Sequence, residues 1–415
     1  MATSRTGPET GYAVFVESNT TGTGGLFAEA AARAGQVPVL LARDPERYGP
    51  WLDRYGKVVE LDTSDAAAIT AWCEGLPGDS VRGVTSSSDY FVATAARVAA
   101  SFGLPGPSPE SVARCRDKAA ARRTLSGTGV PIPRWRECRT SDQVGAAAAD
   151  LGGPVVVKPV DGSGSVGVRL CADADEAIEA AAGLLGAGTN ERGLPRAGRI
   201  LVEGFVDGPE YSVELFNGEV VAVVSKHVGA PPNFVEVGHD VDSALSPQLD
   251  RAVRGTAEDA ADALGAKFGP VHAEIRLEGD TPYVIEVNPR LAGGNIPRLI
   301  ELAYGVDLIS AHIAQVVGGP RTMPERRWRS GAAIRFLRLP HEGTIRRVPD
   351  SAELEEIGAF EAAVRVRAGD RCTLRGDFTD RIGHVITDGP TREVAAAEAD
   401  KAAAALEGAI EWEPN

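Results

Sequence analysis

Twenty residues, 271–290 (VHAEIRLEGDTPYVIEVNPR), constrain this chain more than any others. Two runs of alternating apolar and polar residues flank Glu278-Gly279-Asp280-Thr281, a turn composition, so a β-hairpin is predicted. On the first strand Ala273, Ile275 and Leu277 point one way, and His272, Glu274 and Arg276 the other. On the second, Tyr283, Ile285 and Val287 are assigned to the apolar face, leaving Glu286 and Asn288 on the polar one. Centring the hairpin on Asp280 sets Glu274 opposite Glu286 and His272 opposite Asn288. Directly opposed side chains stand about 4.5–5.5 Å apart at Cβ, where like charges repel. Two facing carboxylates beside an amide oxygen make sense around a hard cation such as Mg²⁺. A solvated strand face with incidental acids would show the same alternation. Arg290 follows, on a turn opened by Pro289, as a fixed positive charge at the strand's end.

The rest of the chain has to supply a reason for a cation. Its 415 residues predict two to four domains, and a hydrophobic content of 43% is ample for their cores. The net charge of −15 argues against a nucleic-acid partner held by a diffuse basic surface, but not against a local cationic pocket. The five cysteines (Cys73, Cys115, Cys138, Cys171, Cys372) are scattered, without Cys-x-x-Cys spacing, so a reducing, cytoplasmic setting is expected. Residues 1–10 are polar, with no signal-like apolar core, and no run approaches the roughly 18 apolar residues of a membrane span.

Periodicity predicts strand 12–17, a glycine turn, helix 26–34 and strand 37–41, a βαβ unit that implies a parallel sheet. Gly22-x-Gly24-Gly25 lacks the full order of a dinucleotide fingerprint, so a tight turn is the reading there. The alternation continues with strands 57–61 and 81–86 and helices 66–74 and 90–102. The proline-rich 104–109 punctuates the chain. Ser108-Pro109 then opens a helix expected to carry Arg116-Asp117-Lys118. Strand 154–158, a glycine-serine loop at 161–168 and helix 174–185 follow. The polar segment 186–198 is expected to be mobile. Strands 200–203, 210–216 and 220–225 come next, the last two joined by the hairpin signal Asn217-Gly218. Helix 247–264 leads into the 271–290 hairpin, and two helices, a basic linker, two strands and helix 391–409 close the chain.

Three segments carry chemistry besides the hairpin. Lys158 ends a Val-Val-Val strand, where an unpaired charge is costly to bury. The loop after it, with Ser163, Gly164 and Ser165, combines backbone N–H groups that approach phosphate closely with hydroxyl donors. It is not a Walker loop, and an ordinary hairpin turn would also account for it. Glu203-Gly204-Phe205-Val206 leaves a strand with free backbone groups that can pair with the edge of a purine. Glu210 beyond it fits a ribose contact or an ordinary strand-end acid.

In this order, a lysine before a glycine loop, an acidic hinge and a carboxylate pair ending in Asn-Pro-Arg resemble the ATP-grasp superfamily over nearly the whole chain. The resemblance implies an α/β protein with a Rossmann-like N-terminal domain (1–108), a helical linker and lid with the glycine loop (109–203), and a catalytic domain with a C-terminal extension (204–415). It implies ATP and Mg²⁺, as two ions, with Mn²⁺ an alternative. ATP would be held by Lys118, Lys158, Ser163, Gly164, Ser165, Glu203, Phe205, Val206 and Glu210. The metal would be held by Glu274, Glu286 and Asn288, with Arg290 beside the transferred phosphate.

Within the superfamily, Glu17-Ser18-Asn19-Thr20-Thr21-Gly22, the TSSSDYF stretch 85–91 and Arg290-Leu291-Ala292-Gly293-Gly294 are similar to L-amino-acid ligases. Asn233-Phe234-Val235-Glu236-Val237-Gly238-His239 is similar to their substrate segment, so Glu236 and His239 would face the amino acids. His227 is a weaker candidate. The implied reaction joins an amino-acid carboxylate to an amine through an acyl-phosphate. Its partners would be small-molecule amino-acid substrates, with neither nucleic acid nor membrane, and a homodimer is common among such enzymes. Loading an amino acid onto a carrier protein or a larger acid is the alternative. A biotin-carboxylase-like reaction is disfavoured because the only methionines, Met1 and Met323, leave no biotinyl motif.

Overall fold

A computed structural model of the chain describes residues 11–20, 23–323 and 325–414. Thr21 and Gly22 of the opening motif, and the polar segment 1–10, lie outside the described residues. The first sheet orders its strands Lys57–Glu60, Val37–Ala42, Tyr12–Val16 and Val81–Thr85, all parallel, as the βαβ pattern requires. A second, antiparallel sheet orders Trp135–Cys138, Ile200–Gly204, Val155–Pro159 and Arg169–Cys171. Helices Ser141–Leu151 and Ala174–Gly186 pack on it through Val144, Ala148, Ala177 and Ala181.

The third sheet has eight strands and begins at the carboxylate hairpin, Thr281–Asn288 beside Pro270–Glu278. It continues through Glu210–Phe216, Glu219–Val228, Glu236–Val241, Gly331–Arg338, Arg381–Gly389 and Glu361–Val364. Asn217 and Gly218 both have positive φ, 54° and 89°, so the Asn-Gly signal forms the two-residue turn it encodes. The amphipathic helix Pro247–Leu264 buries Val253, Ala257 and Leu264 against Val213, Ile275 and Val284 of this sheet. Ile296–Tyr304 and Leu308–Val316 tie the sheet to the N-terminal one in a shared core with Phe15, Phe27 and Phe216. Among the described residues no single helix is long and apolar enough to cross a membrane. The short Gly343–Arg347, Arg371–Cys372 and Glu411–Pro414 strands form a small C-terminal sheet.

Three expectations need correction. The helix expected through residues 116–118 is two, Pro109–Arg116 and Lys118–Leu125, because Asp117 is extended and caps the second by accepting from the Ala120 N–H. The segment 186–198, expected to be mobile for its polarity, is folded: Thr189 bridges Pro195, and Asn190 accepts from the N–H groups of Arg192 and Leu194. In the hairpin, the second strand's core face is formed by Val284 and Val287, not by Tyr283 and Ile285. A bulge causes this. Ile275 pairs with Val284 and Glu274 with Glu286, leaving Ile285 unopposed.

Candidate active site

The bulge decides what the hairpin presents. From the turn outward the register starts at Glu278 opposite Thr281, which would set Glu274 against Ile285. The extra residue shifts it by one, so Glu274 faces Glu286 and His272 faces Asn288, with all four on one side of the sheet. Ile285 turns instead into a cavity walled by both antiparallel sheets. Its backbone carbonyl accepts from Arg122 Nη2 at 2.7 Å, and the Val284 N–H donates to Pro131, so the linker helices cover this edge strand.

That cavity collects every residue expected to contact the nucleotide: Lys118, Lys158, Ser163, Gly164, Ser165, Glu203, Phe205, Val206 and Glu210. Lys118 Nζ donates to the Gly162 carbonyl at 2.7 Å and lies 3.1 Å from Glu286. Lys158 Nζ is 2.5 Å from Glu203, whose other oxygen takes Arg122 Nε at 2.7 Å. Burial raises the Glu203 carboxyl, but Arg122 and Lys158 outweigh it and hold the group down at about 2. Burial pulls Lys158 down against the attraction of Glu203. One carboxylate thus serves two buried cations, a surplus of positive charge where phosphate oxygens would complement it. Glu210 is shared between Lys226 at 2.6 Å and Arg276 at 2.9 Å, and Arg276 also lies over the Phe205 and Phe234 rings, both at 5.2 Å. Gly164, with φ of 64°, approaches Phe378 so closely that a Cβ would stand 2.6 Å from its ring, and Ser165 Oγ donates to the Phe234 carbonyl. The glycine loop is therefore seated on the catalytic sheet.

Asn288 is the observation that bears on a metal. Its Oδ1 is buried without a hydrogen-bond partner, on the same strand and face as Glu286, which stands opposite Glu274. Two carboxylates and an orphan amide oxygen form a hard-oxygen set that fits Mg²⁺ completed by phosphate and water. Among the described residues no cluster of three or more His, Cys, Asp and Glu could hold a metal ion by itself. His272 braces the set: its Nδ1 is 2.6 Å from buried Glu214 and its Nε2 3.4 Å from Glu274. Burial would lower His272, but Glu214 overrides it and pushes the imidazole up to about 10.

A second cavity adjoins the first, and the two share Asp89, Ser163, Gly164, Ser165, Glu236, Glu274 and Arg290. Arg290 donates to Asp89 at 2.6 Å; Asp89 also accepts from Ser163 Oγ at 2.5 Å and stands 3.3 Å from Arg116. Asp89 overcomes the burial of Arg290 and holds its guanidinium firmly charged. Glu236 receives Arg381 at 2.5 Å and Lys226 at 3.0 Å. His239 is 1% exposed and its ring nitrogens have no hydrogen-bond partner, Glu236 being 3.7 Å away. Burial lowers its pKa and keeps it neutral. His227 is elsewhere, paired with Asp240 at 2.7 Å in a group with Arg335.

Sequence reasoning missed Asp89, Arg122, Arg276, Arg381 and above all Lys226, whose Nζ lies within 3.0 Å of Glu210, Glu236 and Glu274. Lys226 carried the signal that singled out Lys158, a lysine closing a valine-rich strand (VAVVSK). The arginines are brought in from other elements, and Asp89 lay unassigned within the TSSSDYF stretch.

The chain is similar to known proteins in sequence and in fold. Residues 151–298 match the ATP-grasp domain family, and residues 335–411 match the L-amino acid ligase C-terminal domain 2 family. The chain is similar to the uncharacterized protein y4rH of Sinorhizobium fredii, with 38% identity over 92% of this chain and 80% of that one. It is also similar to alanine–anticapsin ligase of Bacillus amyloliquefaciens, with 26% identity over 55% of this chain and 52% of the relative, so it spans about half that relative's length. The crystal structure of L-amino acid ligase from Bacillus licheniformis superposes with a TM-score of 0.79 at 22% identity, covering 99% of this chain and 100% of that one. The chain belongs to the ATP-grasp family of ATP-dependent ligases. Its C-terminal region is that of L-amino acid ligases.

Proposed function

We propose that this enzyme forms an amide bond between the carboxylate of one amino acid and the amine of a second, through an acyl-phosphate, releasing ADP and phosphate. The carrying observation is the wall common to the two cavities, where Glu274, Glu236 and Arg290 face both. A γ-phosphoryl group held in the first cavity and a carboxylate held in the second would meet there. Relatives whose names join two amino acids point the same way. We propose also that the units divide near 108 and 203, the middle one being the lid.

In this reading Lys118 and Lys158 hold the phosphates, the 203–206 segment holds the base and Glu210 the ribose. Glu274, Glu286 and Asn288 hold Mg²⁺, which when bound neutralises phosphate charge as the phosphoryl group moves. The substrate carboxylate oxygen bonds to the γ-phosphorus as the bond to ADP breaks. The amine nitrogen then attacks the acyl carbon, the carbon–oxygen bond to phosphate breaks, and the amine's proton is released. Arg290, aimed by Asp89, stabilises the phosphoryl group and the tetrahedral oxyanion. Glu236 binds the substrate's ammonium, and neutral His239 accepts the attacking amine's proton.

The test is a pairwise screen of free amino acids for ADP release, with mass spectrometry of the products. Amino-acid-dependent ADP with a dipeptide mass supports the reading. ADP release only with carrier-protein acceptors, or with none, overturns it.

A further inference from the structure

Residues 187–198 join the helix Ala174–Gly186 to the strand Ile200–Gly204, so both ends belong to the lid sheet. The middle rests on the N-terminal unit. Arg192 donates to the Glu17 carboxylate at 3.1 Å and to the Tyr48 hydroxyl at 2.6 Å, and its guanidinium lies 5.8 and 5.5 Å from the Tyr48 and Phe91 ring centres. Leu194 packs on the apolar cluster of the parallel sheet, and the Tyr90 hydroxyl donates to Glu191. The socket is preformed: Glu17 also accepts from the hydroxyls of Tyr48 and Thr63 and from the Arg43 N–H. Glu191 and Arg192 line the cavity assigned to the amino acids, while the nucleotide cavity is walled by the lid strands and glycine loop.

The geometry points to residues 187–198 as a strap that admits the amino-acid substrates and then seals them in, latched by Arg192 in the socket of Glu17, Tyr48 and Phe91. This rests on the ligase reading and adds a separate gate to it. The glycine loop closes over the phosphates; the strap closes the far end, where water would otherwise reach the acyl-phosphate. With the strap open, water replaces the amine: its oxygen attacks the acyl carbon, the bond to the phosphate oxygen breaks, and carboxylate, phosphate and a proton are released. ATP is then spent without a peptide bond. The latch suits repeated opening, since its charged contact is the single Arg192–Glu17 pair and the rest are hydrogen bonds, ring contacts and one leucine, at the tip of a hairpin that keeps its shape through Asn190.

The test compares Arg192→Lys, Arg192→Ala and Arg192→Glu, the last repelled by Glu17. The expected result is an ADP-to-dipeptide ratio that rises from about 1 in the native enzyme to about 3 or more in Arg192→Glu, in the order Lys, Ala, Glu. The KM for amino acids should rise about fivefold or more while the KM for ATP stays within about twofold, because the strap walls only one cavity. A merely structural contact would lower the melting temperature and move all parameters together. A second measurement needs no catalysis: trypsin should cut after Arg196 faster in Arg192→Glu than in the native protein. Unchanged ratio, KM values and cutting rate in Arg192→Glu overturn the strap and leave the ligase reading standing. No ADP release from the native enzyme with any amino acid overturns the ligase reading itself, whatever the trypsin result shows about the latch.

Discussion

Arg290 is a half-buried cation whose direction is set by one carboxylate. Asp89 takes its Nη2 at 2.6 Å while holding Ser163 of the glycine loop at 2.5 Å, so the group that aims the arginine also touches the lid. Asp89→Asn keeps the shape, removes the charge, and frees Arg290 to swing. We expect kcat to fall between about 10- and 100-fold with little change in the KM for ATP, since positioning and charge stabilisation act in the transition state. Steady-state ADP release checks this, and an unchanged kcat would count against the aiming role. Glu286 is tied to Lys118 at 3.1 Å and stands across from Glu274, so Glu286→Ala removes a metal ligand and a lysine partner together. ADP release should disappear while the circular dichroism spectrum stays native. Undiminished ADP formation would remove Glu286 from the site.

The hinge between lid and catalytic sheet is an element whose freedom is narrow. At Gly208 the backbone passes so close to the Leu277 carbonyl that a Cβ would stand 1.7 Å from its oxygen. Gly208→Ala must push the 205–209 segment off the hairpin, at a cost of about 3 kcal/mol if the strain is not relieved. It should also displace Val206, whose carbonyl accepts from Arg276 at 3.0 Å, and so raise the KM for ATP. A lower melting temperature with an unchanged ATP KM would show that the hinge does not shape the base site. This element also marks where sequence reasoning stops. Asn217-Gly218 was enough to place a turn, a local rule, whereas alternation in 271–290 was enough only to mark a polar face with Glu274 and Glu286 on it; centring on Asp280 gave the observed pairing, but a bulge is what produces it. The bulge at Ile285 is not local: it answers to the cavity and to Arg122 from a different helix, and no composition marks it. The 186–198 segment was misjudged on both counts: Asn190 folds it locally, a signal left unread in its polar composition, and its docking comes from Glu17 and Tyr48, more than a hundred residues earlier.

At the scale of the molecule, the N-terminal sheet is fastened to the rest through the helix Leu308–Val316, in a shared apolar core. Gly83 touches Val316, where a Cβ would stand 2.6 Å from a methyl group, and His312 Nε2 meets Thr85 Oγ1 at 3.1 Å beside the Phe27 ring. His312 Nδ1 is buried without a partner, and burial pushes the imidazole down to about 4. Near its ordinary value of about 6.5 the unfolded chain takes up a proton that the folded joint refuses. The unfolded state therefore binds more protons between about pH 6.5 and 4, and stability must rise with pH across that window. The contribution is complete above about pH 6.5 and is lost as pH falls towards 4, amounting to about 2 kcal/mol by pH 5. Carboxylates titrate over part of the same range, so the effect has to be isolated by substitution. Urea unfolding at pH 7.5 and 5.0 should show a loss in the native protein that is smaller by about this amount in His312→Gln, which keeps a polar group near Thr85 but cannot take a proton there. Equal losses in both proteins would mean that the joint opens to admit water before His312 is protonated, and that the N-terminal unit is less firmly fastened than its packing implies.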